Sequence, residues 1–201
     1  MTRPDVTVFG AGIFGLSIAW ACLKHGASVQ VIDPAGPGAG ASGGVVGALA
    51  PHVPENWNDK KAFQLESLLM ARAFWAEIED VSGIASGYAR SGRLQPVQDD
   101  RSLHLARERC AGADVLWQGQ AIWEVIETPA AGWYPDSPTG FYIHDTLTAR
   151  LHPRHACRSL AEALDRKGAM LGAEGTPAGK VVHATGVTGL EQLSQALGRT
   201  V

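Results

Sequence analysis

Three glycines at fixed spacing follow the first apolar segment of the chain. Residues 10–15 have the sequence GAGIFG, which fits the pattern G-x-G-x-x-G. The motif comes after a strand pattern, opens a helix pattern, and precedes an acidic residue, Asp33, that ends the next strand pattern. Strand, glycine turn, helix and distal carboxylate in this order are typical of a dinucleotide-binding βαβ unit. Without that order the motif would be weak evidence, because glycine is abundant, with 24 in 201 residues.

Each part of the motif has a physical role in binding a dinucleotide. Gly10 allows a tight turn, Gly12 lets the backbone approach a pyrophosphate, and Gly15 lets the helix pack closely on the strand. The free N–H groups and the positive dipole end at the helix start attract phosphates. Asp33 can accept hydrogen bonds from ribose hydroxyls and would repel a 2′-phosphate. The alternative is that the glycines serve packing only and Asp33 is a surface cap. The candidate cofactor-binding residues of this segment are Gly10, Ala11, Gly12, Ile13, Phe14, Gly15 and Asp33.

The elements around the motif follow from hydrophobic periodicity and from glycine and proline positions. A long helix is predicted over residues 59–79, with two apolar stripes that indicate burial on much of its surface. Strand patterns in runs between turns predict an antiparallel sheet in the middle of the chain. The predicted strands are 5–9, 28–32, 88–97, 121–127, 140–151 and 180–184, and the predicted helices are 13–23, 59–79, 100–111, 153–167 and 190–197.

Composition excludes several other classes. The net charge is −3 with no polybasic block, so we expect no nucleic-acid partner. Three unclustered cysteines suit a reducing compartment, and we predict a cytoplasmic protein. The apolar run Val6–Leu23 could be read as a signal peptide or membrane anchor, but its glycines and the strand that follows disfavour this. His152 and His155 could ligate a metal, but no nearby carboxylate or cysteine cluster supports them, so we predict no metal.

Longer stretches of the sequence resemble one enzyme family. These are VTVFGAGIFGLSIAW (6–20), VID (31–33), GAGASGGVVGALAP (38–51) and VVHATG (181–186). They are similar to the FAD-dependent amine and amino-acid oxidoreductases, a family that includes D-amino-acid oxidase, glycine oxidase and sarcosine oxidase. The resemblance implies FAD as cofactor, with residues 38–51 running along the flavin. It adds Ala41, Ser42, Gly47, Ala48, Leu49, Thr185 and Gly186 to the candidate cofactor-binding residues.

The resemblance also implies a fold and a reaction. The fold class is α/β, a Rossmann-like FAD-binding domain with an inserted α+β substrate domain, incomplete at the C-terminus. The implied domains are 1–86 with 170–201 for FAD and 87–169 for the substrate. The implied reaction oxidises the C–N bond of a small amine or amino acid by hydride transfer to flavin N5, and the motifs identify no catalytic residue.

The chain departs from the family in two places. Between Met170 and VVHATG the family usually has a strand pair, one backbone of which contacts adenine, and here the segment looks compressed. Family members also continue well beyond this point, so we expect this chain alone to hold FAD weakly and to turn over no amine. An NAD-dependent dehydrogenase and a non-catalytic dinucleotide-binding remnant remain alternatives. The amine, the electron acceptor and the oligomeric state are not determined by the sequence.

Overall fold

A computed structural model of the chain describes residues 3–129 and 132–201. The elements alternate between strands and helices at both ends of the chain, while the middle is rich in strands. The strands are β1 (Val6–Phe9), β2 (Val29–Ile32), β3 (Gly47–Leu49), β4 (Arg93–Pro96), β5 (Trp123–Glu127), β6 (Phe141–Asp145), β7 (Ala149–Leu151), β8 (Met170–Gly172) and β9 (Lys180–His183). The helices are α1 (Ile13–Lys24), α2 (Asp59–Ser82), α3 (Asp100–Leu116), α4 (Pro153–Arg166) and α5 (Gly186–Leu197).

The chain divides into two compact units. The first contains Met1–Gly47, Trp75–Tyr88 and Leu151–Val201, and the second contains Ala48–Phe74 and Ala89–Arg150. This division differs from the predicted boundaries, which placed residues 87–169 together. Helix α4 falls in the first unit because it packs against α1. That one unit binds the cofactor and the other binds the substrate stays a prediction.

The first unit is built on a four-stranded parallel sheet in the order β8-β2-β1-β9. Val6 of β1 lies opposite Val29 of β2 on one side and Lys180 of β9 on the other. Val8, Val29 and Val31 are almost wholly buried, as expected of central strands in a sheet covered by helices. Because all four strands run the same way, their carboxyl ends meet at one edge, where open α/β sheets bind ligands.

The connection from β8 to β9 is unusually short for a parallel crossover. Parallel strands normally need a dozen or more residues between them, often a helix, whereas residues 173–179 alone join these two. The buried Thr7 of β1 holds this segment, since its Oγ1 donates to the carbonyl oxygen of Ala178 at 2.8 Å and accepts from the Ala178 N–H at 2.9 Å. Strand β8 was not predicted from the sequence, although the compressed length of this segment was.

The second unit contains an antiparallel three-stranded sheet in the order β4-β6-β5, as the strand-rich middle of the sequence predicted. Helix α3 packs against β5, and the core between them includes the indoles of Trp117 and Trp123, which meet edge to face at 6.0 Å. The predicted strand over 140–151 is two strands, β6 and β7, because a turn interrupts it.

Helix α2 is less buried than its two apolar stripes predicted. The stripe that includes Leu68, Trp75 and Ile78 is buried. In the other stripe Phe63 is 72% exposed and Met70 is 59% exposed, so the prediction that this helix is buried on much of its surface was wrong. Periodicity identified the apolar positions but could not show which of them the rest of the chain covers.

The apolar run Val6–Leu23 forms β1, the glycine turn and most of α1 rather than one continuous apolar helix. Among the helices of the described residues, none combines the length and the apolarity that crossing a membrane would require.

A buried carboxylate organises the turn between β6 and β7 in the second unit. Asp145 is fully buried, and its Oδ1 accepts from the backbone N–H groups of Leu147 at 3.1 Å and Thr148 at 2.7 Å. Its Oδ2 accepts from Thr148 Oγ1 at 2.8 Å and from Arg93 Nε at 3.1 Å. Removing the carboxylate would leave several donors without a partner.

We predict that Asp145→Ala lowers the free energy of unfolding by about 2–4 kcal/mol, because buried unsatisfied donors are costly. Urea denaturation followed by circular dichroism measures this change. Asp114→Ala, at an exposed position of α3, is the matched control and should change stability by less than about 0.5 kcal/mol. A loss below about 1 kcal/mol for Asp145→Ala would contradict the assigned hydrogen bonds.

Candidate cofactor-binding site

The turn from β1 into α1 requires glycine at its first position. Gly10 has φ of +102°, and a Cβ there would collide with the carbonyl of Ala184 at the end of β9. The Gly10 N–H donates to the carbonyl oxygen of Ile32 at 2.9 Å, and the Ala184 N–H donates to the carbonyl oxygen of Phe9 at 2.8 Å. The carboxyl ends of β2, β1 and β9 are therefore joined directly around this one glycine.

The other two glycines of the motif keep space clear at the start of α1. A Cβ on Gly15 would overlap the carbonyl of Gly10, so this position brings the helix close to the strand. Gly12 precedes the first residue of α1, and a Cβ there would lie 3.2 Å from Ser42 Oγ. Of the remaining motif residues, Ala11 is buried, Ile13 is partly buried and Phe14 is 78% exposed.

Asp33 forms part of the local structure at the end of β2. Its Oδ2 accepts from the Ala11 N–H at 2.7 Å, and its Oδ1 accepts from the Ala35 N–H at 2.9 Å. A carboxylate has about four lone-pair sites, so these two bonds leave room for two further donors such as ribose hydroxyls. The sequence predicted a ligand role for Asp33 but not its contact with the glycine motif.

Ser42 supplies a side-chain cap to α1 from a distant part of the chain. The helix has Gly12 at its N-cap, which offers no side chain, and the Ile13 N–H instead donates to Ser42 Oγ at 3.0 Å. Ser42 lies in a short 3-10 turn over Ala41–Gly43. The Ser42 hydroxyl retains its own proton, which it can donate to an anion near the helix start.

The loop of small residues falls into both units. Ala41, Ser42 and Gly47 belong to the first unit with the glycine motif, whereas Ala48 and Leu49 belong to the second. Leu49 is partly buried and packs against the core of the second unit. A role of Ala48 and Leu49 beside a flavin therefore stays a prediction.

The end of β9 contributes a polar group that lacks a partner. Thr185 lies two residues after the strand, and its Oγ1 is buried with no hydrogen bond among the described residues. A buried hydroxyl without a partner is costly, and Thr185 lies beside the glycine motif, since a Cβ on Gly10 would come within 3.1 Å of the Thr185 backbone N. Gly186 begins α5, with φ of +67°.

A cavity of about 290 Å³ opens at the carboxyl ends of β2 and β8 in the first unit. Ala11 and Asp33 line it, together with two groups that the sequence analysis did not name. One is the turn after Asp33, and the other is the end of β8 at Gly172 and Ala173. The lining of the cavity by β8 could not be foreseen because its three-residue strand has no clear hydrophobic pattern.

The residues present fit the ADP half of FAD. The glycine positions leave the start of α1 open to a pyrophosphate, Asp33 keeps acceptor sites for ribose, and Thr185 Oγ1 lacks a partner. Residues 173–179 alone join β8 to β9, in the segment where the resemblance implied a contact to adenine. Gly172 and Ala173 are the groups of this chain that line the cavity on that side.

Other candidate groups have structural contacts. The rings of His152 and His155 stack with centroids 3.8 Å apart at the start of α4, and His152 Nδ1 accepts from the His155 N–H. Burial raises the pKa of the Cys157 and Cys110 thiols, so neither is set up as a thiolate nucleophile. No catalytic residue is identified.

The sequence and the fold match known proteins over nearly the whole chain. The family profile described as FAD dependent oxidoreductase matches residues 5–200. The putative thiamine biosynthesis oxidoreductase ThiO of Rhizobium etli is 29% identical over 165 residues, which are 80% of this chain and 46% of that protein. The tRNA 5-methylaminomethyl-2-thiouridine biosynthesis bifunctional protein MnmC of Chromohalobacter salexigens is 29% identical over 148 residues, which are 65% of this chain and 21% of that protein.

Among solved structures, glycine oxidase from Geobacillus kaustophilus superposes with a TM-score of 0.75 at 18% identity, over 98% of this chain and 59% of that one. L-amino acid deaminase from Proteus myxofaciens superposes with a TM-score of 0.78 at 16% identity, over 100% of this chain and 49% of that one. These likenesses confirm the predicted fold class, and the chain spans half or less of the length of the curated relatives it matches. The match over residues 5–200 shows that this chain belongs to the family of FAD-dependent oxidoreductases.

Proposed function

We propose that this chain supplies the ADP-binding part of an FAD-dependent oxidoreductase that oxidises the C–N bond of a small amine or amino acid. The observation that carries the proposal is the meeting of the α1 N-terminus, Asp33 and Thr185 at one sheet edge. The family assignment supports FAD over the NAD-dependent alternative. Glycine oxidase and L-amino acid deaminase among the structural neighbours support an amine or amino acid as substrate.

The residues of the site have separate tasks in this proposal. The start of α1 would hold the pyrophosphate through its backbone N–H groups and dipole, with Ser42 adding a hydroxyl donor. Asp33 would accept hydrogen bonds from the ribose of the adenosine. When bound, FAD would supply a two-electron acceptor for the substrate. The protein would orient the substrate, and no acid or base of this chain is assigned to the reaction.

A second candidate function is dinucleotide binding without turnover. All of the described residues that fit the cofactor would contact its ADP half. The chain covers 46% of the length of ThiO from Rhizobium etli. Orientation of reacting groups can lower a barrier by roughly 7–11 kcal/mol, so a flavin held only at its ADP end would turn over too slowly to detect. Binding and turnover therefore need separate measurements.

For binding, we predict that the chain quenches or shifts flavin fluorescence on titration with FAD and that ADP competes for the site. FMN and riboflavin, which lack the adenosine, should bind at least tenfold more weakly. The bidentate ribose contact and the adenosine phosphate together should contribute more than about 1.4 kcal/mol to the binding free energy, which corresponds to a factor of ten. Equal affinity for FAD and FMN would contradict the assignment of the ADP half to these residues.

For turnover, glycine, sarcosine and D-amino acids are added without oxygen to the FAD-loaded protein, and flavin absorbance is followed. The first candidate function predicts that at least one of these compounds bleaches the flavin. Binding of FAD without bleaching by any of them would favour the second candidate function.

We predict that Gly12→Val abolishes FAD binding. Its side chain would displace Ser42 Oγ, which lies 3.2 Å from the position of a Cβ, and would fill the path of the pyrophosphate. Flavin titration measures the loss, and circular dichroism should show unchanged helix content. Ala21→Val, at an exposed position of the same helix, is the matched control and should bind FAD normally. Retained FAD binding by Gly12→Val would show that the motif does not hold the phosphates.

We also predict that Asp33→Asn weakens the binding of FAD and of ADP about tenfold and leaves the affinity for FMN within about twofold. The reason is that hydrogen bonds to a charged acceptor contribute roughly 1.5–3 kcal/mol to the binding free energy. Asp5→Asn is the matched control, because Asp5 accepts hydrogen bonds from Ser28 at the opposite, amino end of the same strand pair. Equal weakening of FAD and FMN would place Asp33 away from the adenosine ribose.

A further inference from the structure

Helix α4 holds the loop that carries Ser42. Its first turn lies against residues 38–47 within the first unit, and it does so through both backbone and side-chain contacts. This helix has Pro at its first position, which suits a helix start because the missing N–H would have no intrahelical acceptor there. The next residue is Arg154, which the sequence analysis did not single out.

Arg154 makes three hydrogen bonds to two consecutive carbonyls of the loop. Its backbone N–H donates to the carbonyl oxygen of Gly44 at 3.2 Å. Its guanidinium donates to the carbonyl oxygen of Gly43, from Nε at 3.2 Å and from Nη2 at 3.0 Å. A backbone N–H at the start of α4 and a rigid fork of charged donors therefore hold the carbonyl groups of the two residues that follow Ser42.

Two tight contacts support the same loop from the same helix turn. A Cβ on Gly47 would lie 3.1 Å from Cγ of Pro153, and a Cβ on Gly38 would lie 3.1 Å from Cβ of Cys157. The buried thiol of Cys157 also points to the carbonyl oxygen of Ser42, with Sγ at 3.9 Å. Substitutions that enlarge these glycines would force the loop away from α4.

On its other side the loop contacts the dinucleotide motif. Ser42 Oγ accepts from the Ile13 N–H at 3.0 Å, and the Gly38 N–H donates to the carbonyl oxygen of Ala11 at 2.9 Å. The loop thus lies between the starts of two helices, α1 and α4. The guanidinium of Arg154 acts on the carbonyl of Gly43, one residue from the hydroxyl that caps α1.

We infer that Arg154 is a positioning residue for the cofactor site: it fixes the 42–44 peptides so that the Ser42 hydroxyl stays at the N-terminus of α1. The inference rests on the proposed function, since it assigns Arg154 an effect on FAD binding without contact to FAD. Arg154 is itself solvent-exposed, so its effect on affinity is a modest factor rather than an absolute requirement.

The first test uses the cofactor-free protein and does not depend on FAD. Hydrogen exchange of the Ile13 amide, resolved by NMR, reports the Ser42 cap directly. Ser42→Ala should speed this exchange about fivefold, as expected for one hydrogen bond. Arg154→Ala should speed it by nearly the same factor, whereas Arg158→Ala, one turn further along the exposed side of α4, should not. Unchanged Ile13 exchange in Arg154→Ala would overturn the inference.

The second test is a double-mutant cycle on FAD affinity. Arg154→Ala and Ser42→Ala should each raise the Kd for FAD about fivefold, and the double variant should be no weaker than Ser42→Ala alone. Arg154→Lys keeps the positive charge but loses the paired donors of the guanidinium, so it should recover part of the FAD affinity. This variant replaces Arg154→Ala in the cycle if Arg154→Ala does not fold. Additive losses would show that Arg154 acts independently of the Ser42 cap. Failure of the unmodified chain to bind FAD would instead contradict the proposed function and leave the exchange test valid.

Discussion

The N-terminus of α1 is the point on which the rest of the site depends. Its early N–H groups have no carbonyl partner within the helix, and side chains from other segments satisfy one of them and one N–H of the turn just before the helix. The Ala11 N–H donates to Asp33 at the end of β2, and the Ile13 N–H donates to Ser42 in the following loop. Gly10 adds the end of β9, because only a residue without a side chain fits against Ala184. These short contacts bring four separate segments to one edge of the sheet.

This arrangement explains why small residues are so frequent in the first third of the chain. Gly15 touches the carbonyl of Gly10, Gly38 touches Cys157, and Gly47 touches Pro153. Each contact lets a loop approach a helix start more closely than a larger side chain would permit. The glycines that we propose to lie at the cofactor thus also build the site around it, so a mutation at one of them would affect both the local structure and the proposed binding.

The sequence predicted the parts of this structure that have strong local signals. For the βαβ unit around Gly10–Gly15, the sequence shows a clear strand period, a glycine turn and an acidic residue at a strand end. The structure contains the corresponding strand, turn and strand-end carboxylate. Strand β8 and the seven-residue crossover carry no such signal, since the crossover is held by a tertiary contact between the buried hydroxyl of Thr7 and Ala178. The exposure of Phe63 and Met70, the place of α4 in the first unit and the contacts of Arg154 depend on tertiary packing, which hydrophobic periodicity does not encode.

The central claim is that the start of α1, Asp33 and Thr185 form one ADP-binding site. The most direct measurement is the change in backbone amide NMR shifts when ADP is added to the isotope-labelled chain. We expect the largest changes at residues 10–15, 33–36 and 172–173, which border the cavity and the α1 N-terminus, and at residues 185–186, which lie beside Gly10. Shift changes confined to other segments, or none at saturating ADP, would contradict it.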